Sequence, residues 1–304
     1  MRYRSILVTG AAGLVGGAVA RRLLASGVTV TATDICNSTE LDCLFFTADL
    51  ADPVRLREIL VDHPFEAIVH CGGVSGSMLF TNEPMAIVKA NILGTVNLLE
   101  AARTANIKRI VFCSSASVYG ARLLDPVLEE AALHPVSVYG ASKIAGEVLL
   151  EAYAAQWGLE SVALRIFQVY GPGRTTECQI QSLLMGGLQK QPVYLRFAPE
   201  TMRQYVYIDD VVDAIVLALL SRAYPQRTYN ICGDQSLNLD QIAKLVASAV
   251  PGIDVRFESL PSGPLNARRN VDISAAARDL GFVPRVSLEE GINRYANWLR
   301  GTLP

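Results

Sequence analysis

An α/β fold built on a doubly wound parallel sheet is predicted by three observations, and the length of the chain leaves room for a smaller appended lobe. Short apolar runs alternate with helical periodicity through the first half of the chain. A glycine-rich turn follows the first of those runs and opens the first helix. Residues with chemistry in them fall at the ends of successive strands, where parallel sheets bind their ligands.

The elements follow in order. Ile6-Leu7-Val8 reads as a buried strand running into Thr9-Gly10-Ala11-Ala12-Gly13-Leu14-Val15-Gly16, after which Val15, Val19, Leu23 and Leu24 keep a helical period. Gly10, Gly13 and Gly16 let the backbone turn tightly, approach a pyrophosphate and pack the helix on the sheet, with the helix N-terminus facing the anion. The second strand, Val28 to Thr33, ends at Asp34. A carboxylate there can accept hydrogen bonds from an adenosine ribose diol and would repel a 2'-phosphate. No arginine follows in Ile35-Cys36-Asn37, so NAD is favoured over NADP.

A third strand, Leu44 to Thr47, leads to Asp49-Leu50, and Asp52-Pro53 is an N-cap with proline at the first helical position. That helix is expected to run to about Val61. Glu66 to His70 forms the fourth strand and delivers Cys71-Gly72-Gly73, small residues against which a cofactor can lie. His70 reads as a packed strand-end histidine, and His63 and His134 as loop residues. A long helix begins near Pro84 and carries Asn91 and Gly94, and the strand Arg109 to Cys113 then ends in Ser114-Ser115-Ala116-Ser117. Next comes Ser137-Val138-Tyr139-Gly140-Ala141-Ser142-Lys143, which opens a helix that Gly158 closes. Tyr139 and Lys143 share one face of it. A free phenol has a pKa of roughly 10, and a neighbouring cation favours the phenolate, so the pair can serve as a general base or acid for an alcohol proton.

Composition narrows the partners. The chain has 304 residues, 51% hydrophobic and 18% charged, enough for a large core with an appended lobe. A formal net charge of -2 with scattered lysine and arginine offers no field for nucleic acid or an anionic membrane. Val211 to Leu220 carries Asp213 and is too short to span a bilayer. A small-molecule substrate is therefore the expected partner, with no nucleic acid and no membrane. The six cysteines, at 36, 43, 71, 113, 178 and 232, include no CxxC pair and read as reduced thiols, not as a disulfide framework or a zinc site. No metal is expected. With no signal-peptide pattern at Met1 to Ile6, a cytoplasmic location is expected.

These motifs together resemble the extended short-chain dehydrogenase/reductase family, the group of NAD-dependent epimerases and dehydratases. The resemblance continues in Val118-Tyr119-Gly120, Leu164-Arg165, Val169-Tyr170-Gly171-Pro172-Gly173, Arg203 to Val211, Tyr229-Asn230-Ile231 and Asp272-Ile273-Ser274. It implies a Rossmann domain over residues 1–170, with returning segments at about 203–233, and a substrate lobe from 171–202 and 234–304. Pro192 to Phe197 and Val255 to Phe257 read as lobe strands, and 239–250 and 274–280 as lobe helices. The helix Asp210 to Leu220 and the strand Tyr229 to Cys232 would return to the main sheet.

The resemblance also implies roles. Tyr139 would be the acid/base, Lys143 would lower its pKa and hold the nicotinamide ribose, and Ser115 would hydrogen-bond the reacting oxygen. NAD would be bound by Gly10, Gly13, Leu14, Val15, Gly16, Asp34, Asp49, Leu50, Cys71, Gly72, Gly73, Asn91, Tyr139, Lys143 and Phe167. Substrate would meet Ser75, Ser115, Gln168, Arg174, Arg203 and Arg268. Helices near 84–104 and 140–156 pair with their copies in this family, and Ile92, Val96, Leu99, Val148 and Ala152 suit such a homodimer.

Three departures bear on the substrate. Gln168 stands where nucleotide-sugar enzymes of the family commonly have asparagine, and Ala198-Pro199-Glu200-Thr201-Met202 replaces a Gly-Asp-Gly segment. Pro261-Ser262-Gly263-Pro264 replaces an arginine and Gly-Asp pair that clamps a pyrophosphate, and a guanidinium fork is the natural partner of that anion. The first expectation is thus an NAD-dependent oxidoreductase acting on a carbinol of a sugar, sugar acid or similar polyhydroxylated molecule. A UDP-hexose 4-epimerase is the alternative, followed by a dehydratase and by a non-catalytic NAD-binding sensor.

Overall fold

The computed structural model describes residues 2–37, 40–76, 78–120, 125–258 and 270–302. Its strands in the first half are β1 (Ser5–Thr9), β2 (Thr29–Asp34), β3 (Leu44–Thr47), β4 (Ala67–His70), β5 (Arg109–Ser115) and β6 (Glu160–Ile166). Those that follow are β7 (Gln168–Tyr170), β8 (Val193–Leu195), β9 (Met202–Tyr207), β10 (Thr228–Ile231), β11 (Ser236–Asn238) and β12 (Val255–Phe257). Seven of them form one sheet in the order β10-β6-β5-β4-β1-β2-β3, with every neighbouring pair parallel. This is the doubly wound arrangement the sequence predicts. The chain leaves β1 towards β2 and β3, then crosses back to place β4 on β1's other side. The crevice between β1 and β4, at their carboxyl ends, is the switch point where such sheets bind ligands.

Helices cover both faces, so the central strands are buried and apolar through their middles, with polar residues at their ends. In β1, Ile6 and Val8 face one core with Val19, Ile215 and Tyr229. Leu7 faces the other, with Ile59, Leu98, Phe112 and Leu150. That alternation is the pleat of a strand, and each fully buried aliphatic side chain contributes roughly 1.5–3 kcal/mol. The helices are α1 (Leu14–Ala25), α2 (Pro53–Asp62), α3 (Pro84–Ile87), a π-helical turn (Val88–Leu93), α4 (Gly94–Thr104) and α5 (Val138–Trp157), then α6 (Gln179–Gln189), α7 (Ile208–Leu220), α8 (Leu239–Ala249), α9 (Ser274–Leu280) and α10 (Leu288–Thr302). Asp52 caps α2 by accepting from Val54 N and Arg55 N, with Pro53 leading the helix. Ser137 caps α5, which Gly158 ends in a left-handed conformation.

The helix expected from Pro84 is therefore continuous to Thr104 but widened in its middle. Among the described residues this stretch is long and apolar enough to cross a membrane by composition, yet 44% of its most apolar window is buried inside the protein. Gly94 makes room for the close approach of Leu50: a Cβ there would stand 2.7 Å from the leucine Cβ.

Beyond β6, a three-stranded sheet of order β11-β9-β7 and a parallel pair β12-β8 lie outside the main sheet. Gln168 of β7 pairs with Tyr205 of β9. The strand expected over Pro192 to Phe197 is shorter, and Met202–Tyr207, read from the sequence as a motif, is a strand.

Candidate active site

The glycine turn is built from contacts that exclude side chains. Gly10 has a φ of +70°, and a Cβ on it would lie 2.6 Å from Gly72 N, while one on Gly16 would lie 2.2 Å from Gly10 O. Two backbone loops, after β1 and after β4, thus touch directly. Helix α1 starts at Leu14 with Gly13 as N-cap and no side-chain cap. Its first amides point at the crevice without a protein side chain to satisfy them. Asp34 closes the other side: Oδ2 accepts from Ala12 N at 3.0 Å and Oδ1 from Ile35 N at 2.7 Å. Asp49 Oδ1 accepts from Ala51 N at 2.9 Å, which turns the chain so that Leu50 lies against Gly72. A pyrophosphate at the α1 N-terminus and a ribose diol at Asp34 fit this cradle. Leu14 and Val15, expected among the cofactor residues, are the first residues of α1.

Beneath the crevice runs a hydrogen-bond chain whose polarity can be assigned. Thr95 Oγ1 donates to Asn91 O at 2.6 Å, so the 3.1 Å contact with His70 Nε2 requires the imidazole to donate. His70 Nδ1 then accepts from Thr9 Oγ1 at 2.8 Å, and Thr9 Oγ1 accepts from Gly72 N at 3.1 Å. Burial, with Lys143 adding to it, pushes the His70 pKa down to about 3. The imidazole is neutral and structural, as the sequence suggests.

Asn91, expected among the cofactor residues, is tied to the loop after β4. Its carboxamide accepts from Val74 N at 2.7 Å and donates to Val74 O and to Ser142 Oγ at 3.1 and 2.9 Å. Buried in the π-helical turn, it shapes the Gly73–Ser75 loop. Gly73 is required beside it: its φ is +130° and a Cβ would stand 2.5 Å from Asn91 Oδ1. Ser142 then donates to Tyr139 O at 2.7 Å, tying the π turn to the helix that carries Tyr139. Sequence reasoning passed over Ser142, although it lies inside the Tyr-Lys motif.

Tyr139 and Lys143 are both buried in the first turns of α5, next to the end of β5. Lys143 Nζ donates to Cys113 O at 2.9 Å and stands 5.9 Å from the Tyr139 ring centre and 4.9 Å from that of Phe112. Ser115 is the last residue of β5 and caps the short turn Ala116–Val118, accepting from Ser117 N at 3.2 Å. It is both a strand-end cap and a hydroxyl at the site. Its neighbour Ser114 points inward to Glu147. Glu147 holds Arg165 through three contacts of 2.7–3.2 Å, both side chains being buried. Arg165 continues to Tyr119 Oη at 2.9 Å and Tyr119 to Asn230. The sequence showed Arg165, Tyr119 and Asn230 as motif residues; Glu147, one turn after Lys143, went unread.

The substrate-side residues separate. Ser75 and Gln168 are exposed, and Phe167 is half-buried with its ring 6.2 Å from that of Tyr119. Arg174, expected to meet substrate, donates instead to the carbonyls of Val169, Thr176 and Glu177 at 2.6–3.2 Å and so clips its own loop. Arg203 lies 4.7 Å from the Phe197 ring and bonds Gln179 Oε1 at 3.2 Å and Met202 O at 3.0 Å. Neither neighbouring acid is held as a partner of Arg203 in these contacts: Asp209 pairs with Arg294, and Asp210 accepts from Arg285 N and Val286 N. Arg268 and the Pro261-Ser262-Gly263-Pro264 segment lie outside the described residues.

A doubly wound sheet with this glycine cradle, an acid ending β2, and serine, tyrosine and lysine gathered at β5 and α5 defines an enzyme of the extended short-chain dehydrogenase/reductase class. Residues 6–232 match the family model described as the NAD dependent epimerase/dehydratase family, and the chain belongs to that family. It is 32% identical to a UDP-glucose 4-epimerase of Mycolicibacterium smegmatis, across 97% of this chain and 98% of that one. A solved UDP-glucose 4-epimerase of Thermotoga maritima with UDP-glucose superposes with a TM-score of 0.90 at 29% identity, covering 99% of this chain and all of the other. MoeE5 in complex with UDP-glucose and NAD gives 0.87 at 30% identity, again over 99% and 100% of the two chains. The chain is accordingly an NAD-dependent enzyme whose chemistry is hydride transfer at a sugar-like carbinol.

Proposed function

We propose that this protein is a nucleotide-sugar 4-epimerase, oxidising one carbinol of a UDP-linked hexose or hexuronate and reducing it again on the other face. The observation that carries the chemistry is the placement of Tyr139 one turn from Lys143 and beside the Ser115 end of β5. The similarity to UDP-sugar 4-epimerases along the whole chain supports the substrate class. NAD supplies the hydride acceptor and donor. Tyr139 takes the carbinol proton as the hydride leaves and returns it on reduction. The Lys143 ammonium sets positive charge near that phenol, and Ser115 donates a hydrogen bond to the reacting oxygen, which prefers it as charge develops. Ser75, Gln168 and Arg203 are assigned to the substrate side.

A second reading, a dehydrogenase of small sugars or sugar acids, is favoured by one observation. Arg174, a candidate cation for a diphosphate, is spent on backbone carbonyls. The two are separated by the melting temperature of the NAD-saturated protein, because a ligand specific to the folded state raises it. A rise with UDP supports the epimerase; no rise with UDP but a rise with aldonates or uronates replaces it by the dehydrogenase.

The protein would have two lobes, with the substrate between the main sheet and the smaller sheets β11-β9-β7 and β12-β8, and would act as a homodimer in the cytoplasm. Free thiols at all six cysteines suit that compartment. The dimer face would be the apolar surface left by Met85, Leu93 and Val148, which are 61%, 45% and 58% exposed, together with Ala152, Ile92 and Val96. Leu99, expected on that face, is 2% exposed and belongs to the core.

A further inference from the structure

We infer that Cys71 and Cys113 are an oxidation site, closing to a disulfide when the protein meets a peroxide and so halting turnover. Parallel register sets His70 opposite Phe112, which makes the two residues that follow cross-strand neighbours at the floor of the crevice. Their sulfurs are 3.4 Å apart and share one S–H. Adjacent strands lie about 4.8 Å apart, within the Cα separations that a disulfide spans, so side-chain rotation with a small strand movement suffices to form the bond. No step of the proposed mechanism uses either sulfur. Cys71 is half-buried on the crevice side and Cys113 is buried, which suits the first to meet the oxidant and the second to resolve it.

The reaction balances with peroxide alone. The Cys71 thiolate attacks one oxygen of hydrogen peroxide, the O–O bond breaks, and a sulfenic acid and hydroxide form. The Cys113 sulfur then attacks the sulfenic sulfur, the S–O bond breaks, and a second hydroxide leaves. The two thiol protons turn both hydroxides into water, so the thiols are oxidised and the peroxide reduced. The hydrogen bond with Cys113 and burial push the Cys71 thiol up; oxidation should therefore quicken as pH rises.

The effect on turnover rests on the proposed role of Lys143. Cys113 O accepts from Lys143 Nζ, and Cys71 N donates to Thr9 O beside the glycine turn. Drawing the two sulfurs together moves both attachments. The test treats the full-length Cys36→Ser protein, which lacks the exposed thiol, with hydrogen peroxide and maps alkylated peptides. Expected are a linked Cys71–Cys113 peptide, a chain lighter by two hydrogen atoms and lost turnover, all reversed by dithiothreitol. Cys113→Ser, or Cys113→Ala if serine unfolds the protein, should yield no linked peptide and should leave a Cys71 sulfenic acid that dimedone traps. Both thiols staying alkylatable, or pairing elsewhere, overturns the proposal. A linked peptide with unchanged turnover overturns the coupling to Lys143. The peptide map decides the oxidation site even if the epimerase reading fails.

Discussion

Tyr139 and Lys143 sit one turn apart on α5, and the strongest residue-level expectation concerns the phenol. Removing its hydroxyl in Tyr139→Phe leaves the glycine cradle and Asp34 intact. NAD binding should persist while turnover falls by roughly 10²–10⁴, the usual contribution of a positioned acid or base; turnover equal to wild type would remove Tyr139 from the mechanism. His70 gives a pH prediction with a definite sign. Its folded pKa of about 3 lies below the ordinary 6.5, so between those values the unfolded chain binds the extra proton and stability rises with pH. Stability should thus decline as pH falls below about 6.5, by at most about 1.4 kcal/mol per pH unit from this one group. In His70→Gln denaturant melts, that part of the decline should disappear; an unchanged pH slope would count against a neutral buried imidazole.

Helix α5 is where the elements meet, because Lys143 faces the site and Glu147, one turn on, faces the Arg165 network. Glu147→Ala would strand a buried guanidinium and should cost about 3–5 kcal/mol, whereas Glu147→Met with Arg165→Met should cost much less. Chemical denaturation of both variants checks the ordering. A single variant no less stable than the double would show that the pair is not the joint described here. Helices and strands of the main sheet were legible because their apolar residues repeat at one period and punctuation marks their ends: Asp52-Pro53, Ser137 and Gly158 all fall at observed boundaries. The π-helical turn was not legible, because it is set by contacts of Asn91 with Val74 and Ser142, far away in sequence. β9 escaped for a similar reason: its partners β7 and β11 are short, and pairing rather than periodicity makes it a strand.

For the whole molecule, the cofactor half of the site could be read from the sequence because one loop, one helix end and one strand end build it. The substrate half could not. Arg174 looked like a free cation in the sequence, yet three carbonyls of its own loop take its donors, and only folded geometry reveals that. The missing pyrophosphate arginine pointed to a small substrate, while whole-length similarity to UDP-sugar 4-epimerases points to a nucleotide sugar. At this scale too, the exposed Met85, Leu93 and Val148 predict a dimer, and light scattering at micromolar concentration should return twice the 32.9 kDa chain mass; a monomeric mass would remove that assembly.

The most direct test of the central claim is to incubate the purified protein and NAD with UDP-glucose and, separately, UDP-glucuronate. The 4-epimers are resolved by proton NMR while nicotinamide absorbance is followed. One of the two substrates should reach a mixture of epimers with no net NADH, because the hydride returns to the carbon it left. Accumulation of NADH without an epimer, or NAD bound with neither sugar altered, would contradict the claim.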